Sequence, residues 1–105
     1  MSKIIIVPKN KEAEIALDYD TANPDQLVEL NLESDEFEKL LNANIFTLIN
    51  KVANSNIDDF EDEHITDLNL IRLSLNELKK TNDAEEINKM FELALLYETS
   101  IHFYF

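Results

Sequence analysis

Apolar and polar positions change their period twice along this chain, and the changes mark its elements. Ile4-Ile5-Ile6-Val7 is a short β-branched run closed by Pro8-Lys9-Asn10, which predicts a buried strand followed by a turn. Ile15, Leu17 and Tyr19 then alternate with Glu14, Ala16 and Asp18, the period of two of a strand with one wet face. Asn23-Pro24-Asp25 breaks the chain. From Gln26, Val28, Leu30 and Leu32 alternate with Glu29, Asn31 and Glu33, which favours a third strand over a helix opening at Pro24.

The period then lengthens. Ser34 is placed to cap a helix whose first turn carries Asp35 and Glu36, where the dipole favours negative charge. Phe37, Leu40, Leu41, Ile45, Leu48, Ile49 and Val52 recur at helical spacing. Asn42-Ala43-Asn44 offers an interruption, because Asn is the next best residue to Gly for a left-handed cap; one long helix and two shorter ones both fit. After the loop Asn54-Ser55-Asn56 and an acidic block, Thr66 and Asp67 start a helix with Leu68, Ile71, Leu75 and Leu78 on one face, ending at Lys79 and Lys80. Asp83 and Glu86 have capping-box spacing before a last helix with Ile87, Met90, Phe91, Ala94 and Leu95 inside. Ile101 to Phe105 alternate and are aromatic, a strand expected inside the sheet because Ile101, Phe103 and Phe105 need cover.

At 105 residues the chain has room for one domain, spanning 1–105. Strands, then helices, then a strand predict an α+β fold: a small, mainly antiparallel sheet that includes the N- and C-terminal strands, with three or four helices packed on one face.

Composition narrows the function. The chain has no Gly, where an average chain has about 7%, so glycine-dependent phosphate loops, dinucleotide fingerprints and nucleophile elbows are excluded. It has 22 Asp and Glu against nine Lys and Arg, a formal charge of −13. That charge repels nucleic acid and anionic membranes and calls for basic partners. Zero Cys removes disulfides and thiolate chemistry and suits a reducing compartment, so the cytoplasm is expected. The four-residue apolar run at Ile4–Val7 is too short for a signal peptide or a membrane span.

The feature with most chemistry is the block Asp58, Asp59, Phe60, Glu61, Asp62 and Glu63, with no Lys or Arg before Asp67 to neutralise it. As a metal loop it lacks the Gly of an EF-hand turn. As acid/base machinery it would need two carboxylates held apart in a cleft, which adjacency does not supply. A solvated charge run is the bland reading. A docking surface for a basic partner is the sharper one, with Phe60 as its apolar anchor unless that ring turns into the core. His64 abuts the acids and His102 falls on the outer face of the last strand; no motif links either to a serine and an acid. No catalytic residue, metal or cofactor is expected.

Phe37-Glu38-Lys39-Leu40-Leu41 leading to Ile45-Phe46, then Ile57-Asp58-Asp59-Phe60-Glu61, then the closing helix into Thr99-Ser100-Ile101-His102-Phe103-Tyr104-Phe105, resembles small bacterial immunity proteins encoded beside polymorphic toxins, including those of contact-dependent growth inhibition systems. The resemblance covers roughly residues 35 to 105. It implies a non-enzymatic inhibitor that binds the C-terminal domain of a cognate toxin in the cytoplasm and blocks its active site; the acidic charge, for its part, favours a cationic nuclease as that toxin. Electrostatics supports such a role independently, since opposite charge speeds capture and carboxylates can stand in for phosphates in a basic cleft. The alternative is a nucleic-acid mimic acting on a DNA-binding enzyme, which would spread its carboxylates over a long face rather than in one patch. A small metal-dependent hydrolase using the acidic block with His64 is the third reading.

Overall fold

In the computed structural model, which describes residues 3–105, the chain folds as an α+β domain around a four-stranded antiparallel sheet. Strand β1 (Lys3–Pro8) pairs along its whole length with β2 (Leu27–Leu32), from Lys3 opposite Leu32 to Pro8 opposite Leu27. Its other edge pairs with β4 (Ile101–Tyr104), and β4 in turn holds β3 (Asp62–Ile65), giving the order β2-β1-β4-β3. The last strand therefore lies inside the sheet, as its apolar alternation requires; Ile101 and Phe103 are fully buried.

Helices α2 (Ser34–Asn42), α3 (Ile45–Ala53), α4 (Leu68–Leu78) and α5 (Glu85–Tyr97) cover the face carrying Ile5, Val7 and Phe103. Phe91 of α5 packs on Phe103, while Phe37 and Phe46 close around Phe105 with ring centres 5.2 and 5.3 Å from it. The Lys3 ammonium lies over the Phe37 ring, 4.8 Å from its centre, and donates to the Phe105 carbonyl at 3.1 Å. This cation–π contact and hydrogen bond tie both ends of the chain to α2.

The segment expected as a second strand is helix α1 (Lys11–Asp18). Asn10 decides this: its Oδ1 accepts from the Ala13 N–H at 2.7 Å, and Glu12 and Glu14 follow in the first turn. Ala13, Ala16 and Leu17 then share one side, with Ala13 fully buried, so the alternation of Ile15, Leu17 and Tyr19 was a coincidence of a short amphipathic helix. Glu14 and Asp18 act on His102, which places α1 over the sheet face opposite the other four helices. The expectation of helices on one face holds for four of the five.

Other boundaries moved by small amounts. Pro24–Gln26 form a 3-10 turn, not a helix, and β2 follows as a strand. Ser34 is the first residue of α2, not its cap, and the Glu36 carboxylate accepts from the Glu33 N–H at 3.1 Å. The stripe from Phe37 to Val52 is two helices, broken at Asn44, whose φ of 61° is left-handed. The helix expected to start at Thr66 and Asp67 is α4, and Asp67 is its cap, accepting from Asn69 N–H at 2.8 Å. The Asp83 capping box does not form: α5 starts at Glu85 with Ala84 before it and no side-chain cap.

Candidate functional site

The acidic block is a turn followed by an edge strand. Asp58 Oδ1 accepts from the Phe60 N–H at 2.8 Å, an Asx turn that swings the Phe60 ring outward; it is 88% exposed. Of the two orientations open to Phe60, the structure takes the outward one. Asp59, Glu61 and Asp62 are exposed. Glu63 is spent on the backbone: Oε2 accepts from the Asn56 N–H at 2.6 Å and Oε1 from the His64 N–H at 3.0 Å. The six residues thus divide into two that shape the loop, Asp58 and Glu63, and four presented to solvent. The strand Asp62–Ile65 escaped sequence reading because only Ile65 in it is aliphatic.

The platform below is hydrogen-bonded to α3. Asn50 of α3 accepts from the Ile57 N–H at 2.7 Å and from the Ser55 hydroxyl at 2.8 Å. Its Nδ2 donates to the Ile57 carbonyl at 3.0 Å.

Further carboxylates join Asp62 on the sheet face carrying His102 and Tyr104. Burial first, and then Asp62, Asp20 and Asp18, push the Tyr104 phenol above its ordinary range. Acids from the end of α1 and from β3, more than forty positions apart in sequence, therefore converge on one tyrosine. Glu14 and Asp18 share a side on a strand and on a helix alike, and the expected strand turns that side to water; helix α1 brings it to His102 instead.

His102 faces neither solvent nor acid alone. It is 8% exposed beneath α1, where a sequence reading put it on an outer face. Its Nδ1 lies 2.7 Å from His64 Nδ1, and its Nε2 lies 2.7 Å from Ser100 Oγ. Burial and His64 lower its pKa to about 4, against the opposite pull of Glu14 and Asp18. This Ser-His-His chain was not visible as a motif, although residues two apart on a strand share a face. Ser100 is fully buried, so its hydroxyl is out of reach of a substrate. Among the described residues no group of three or more His, Asp or Glu is placed to hold a metal ion.

Across the whole surface the charge is uncompensated. None of the 22 Asp and Glu residues is buried, and α1, α2, α4, α5, β2 and β3 all carry them. Among the described residues two ion pairs form, Lys11–Glu14 at 3.2 Å and Lys80–Glu77 at 2.8 Å. Lys39, Lys51, Arg72, Lys79, Lys80 and Lys89 belong to the helical layer, whereas β2, β3 and β4 contain no Lys or Arg. A surface cleft between α2 and the start of α5 has about 270 Å³, below the roughly 300–1,000 Å³ of small-molecule sites. No described helix is long and apolar enough to cross a membrane.

No protein-family model matches this chain, and no curated protein sequence matches it. Among solved structures, the Neisseria DNA mimic protein DMP12 has a similar fold, with a TM-score of 0.67 and 17% sequence identity. The superposition covers 99% of this chain and 98% of that chain. At this identity the likeness establishes a common fold.

Proposed function

We propose that this chain is a non-enzymatic DNA mimic: it covers the nucleic-acid-binding surface of a basic DNA-binding protein, with carboxylates standing where phosphates would. The observation that carries the reading is the dispersal of uncompensated charge over six elements. Duplex DNA presents about one negative charge per 1.7 Å of its axis, so its mimic needs charge spread over a face. Such dispersal destabilises a folded chain by self-repulsion, and a partner that neutralises it supplies the compensation. The shared fold with a protein named as a DNA mimic adds support.

The test is capture followed by displacement. The immobilised protein is incubated with nuclease-treated cell extract, washed, and eluted with duplex DNA of about 30 base pairs. The proteins released are expected to be DNA-binding, and each, purified, should lose labelled duplex to this chain in an anisotropy titration. A bound protein that duplex DNA fails to release, and that carries no nucleic-acid site, overturns mimicry.

A second reading is kept for one observation: Phe60, 88% exposed, stands among Asp59, Glu61 and Asp62 in a stretch without Lys or Arg from Val52 to Ile71. One exposed aromatic ringed by acids suits a local anchor, as in an immunity protein that neutralises a cognate cationic nuclease toxin in the cytoplasm. The toxin gene would then lie immediately upstream, and its purified domain would form a complex that charge removal at Asp58 to Glu63 weakens.

A further inference from the structure

His64 and His102 sit directly opposite each other across β3 and β4. Their ring centres are 4.9 Å apart and their Nδ1 atoms 2.7 Å apart, so the rings meet nitrogen to nitrogen. Two facing nitrogens at that distance need one hydrogen between them. Both bare would leave two lone pairs in contact, and both protonated would leave two N–H groups in collision.

We propose that His64 and His102 form a two-step, proton-operated clasp on β3: the first proton taken up by the pair tightens β3 against β4, and the second drives β3 off the sheet edge. Counting hydrogens gives the steps. The neutral pair holds two, one bridging the Nδ1 atoms and one on an Nε2. With three, both Nε2 atoms are protonated, His102 donates to Ser100 Oγ, and the bridge remains as a charge-assisted hydrogen bond, which is stronger than a neutral one. With four, both Nδ1 atoms carry hydrogen and the bridge is lost, leaving two cations in its place.

The surroundings favour a single added charge. Glu14 and Asp18 of α1 draw positive charge toward His102, with Glu14 shared with Lys11 at 3.2 Å. On the strands, Asp62 lies opposite Tyr104, whose ring centre is 5.7 Å from His64 and 6.3 Å from His102. Asp20 lies near enough to act on the Tyr104 phenol, and Glu29 stands across β1, where Ile6 opposes both it and His102. Burial of His102, with His64 beside it, lowers its pKa to about 4 and so resists a second proton on the pair. The strand that responds is the one with least to hold it: β3 has four residues and pairs with a strand on one side only. Beyond that ladder, Ile65 reaches the core and the carboxylate of Glu63 ties the strand to the loop at Asn56. The inference is independent of what the acidic surface binds.

Nitrogen-15 NMR of the full chain reads the bridge directly. A scalar coupling between His64 Nδ1 and His102 Nδ1 is expected at neutral pH, persisting through the first titration and vanishing at the second. Amide exchange at Asp62–Ile65, normalised for intrinsic rates, should be slowest near pH 6.5, with the first proton bound, and at least tenfold faster by pH 4, while β1 and β2 stay protected. His64→Gln, at an exposed position, should flatten this profile. Absence of the coupling, constant protection of β3 in the parent, or an unchanged profile in the variant would each overturn the clasp.

Discussion

Asn50 and Ile57 hold each other through two hydrogen bonds, Ile57 N–H to Asn50 Oδ1 at 2.7 Å and Asn50 Nδ2 to the Ile57 carbonyl at 3.0 Å. A single amide on α3 thereby satisfies the backbone of a buried residue immediately before the acidic turn. Asn50→Ala leaves both Ile57 groups without partners and should cost about 2–3 kcal/mol in denaturant unfolding. Asn50→Asp keeps the acceptor and loses the donor, so it should fall between parent and alanine variant. Equal stability of all three would show that water replaces the amide and that the platform is not held from α3.

Phe60 offers the opposite expectation. At 88% exposure its ring contributes little to folding, and Phe60→Ala should change stability by less than about 0.5 kcal/mol. If the ring anchors a partner, the same variant should weaken binding by about tenfold or more, read as a faster dissociation rate in surface plasmon resonance. A variant that unfolds easily but binds normally would mean that the ring packs inward in solution.

Most of the architecture could be read from periodicity where a segment is long or wholly apolar. Ile4–Val7, the stripe from Phe37 to Val52, the helix from Thr66 and Asp67 and the terminal strand follow from spacing and capping chemistry, while spacing leaves open whether the stripe breaks, as it does at Asn44. Two kinds of segment misled. Helix α1 is eight residues long, and so short a stretch fits both periods; the deciding fact, the Asn10 cap, lies outside the pattern. Strand β3 has a single aliphatic residue, Ile65, and its pairing is set by β4, which supplies the apolar neighbours. The acidic turn was legible as a site candidate, but the acids of α1 that join it on Tyr104 depend on tertiary placement, as does the contact between His64 and His102.

A chain without glycine must use other residues in left-handed conformations, and it does so at Asp20, Asn44, Asn54 and Glu98. Asn and Asp tolerate that region through local hydrogen bonding, whereas Glu98, at φ 53° after α5, bears the steric cost of a Cβ near its carbonyl. Glu98→Gly should raise stability by about 1 kcal/mol. Asn44→Gly should gain less. Thermal melts that rank the two in reverse would place the strain elsewhere.

Acid should weaken the fold through His102. Its folded pKa of about 4 lies below the unfolded value of 6.5, so between those limits the unfolded chain binds more protons. Stability from this group is therefore complete above pH 6.5, is lost as pH falls toward 4, and is constant below. The loss should be about 3 kcal/mol. His102→Gln removes the titrating ring, and the difference between the two pH profiles isolates it from the carboxylates. Parallel profiles would mean that the imidazole charges freely in the folded state.

The mimic and the local anchor differ in how they spend charge, and neutralising two sets of acids separates them. One variant replaces Asp58, Asp59, Glu61 and Asp62 with their amides; the other does the same for Asp18, Asp20, Glu29 and Glu38, on α1, its exit, β2 and α2. Each removes four negative charges from a total of −13, so long-range steering falls equally. If carboxylates over a broad face replace phosphates, both variants should slow association with a captured DNA-binding protein by about tenfold, and both should flatten the dependence of log K on log salt. If the acidic turn is the anchor, the first variant alone should also speed dissociation, and the second should leave the complex close to normal once ionic strength shortens the Debye length to about 3 Å at 1 M salt. Loss confined to the first variant at both low and high salt would remove mimicry and leave the local anchor.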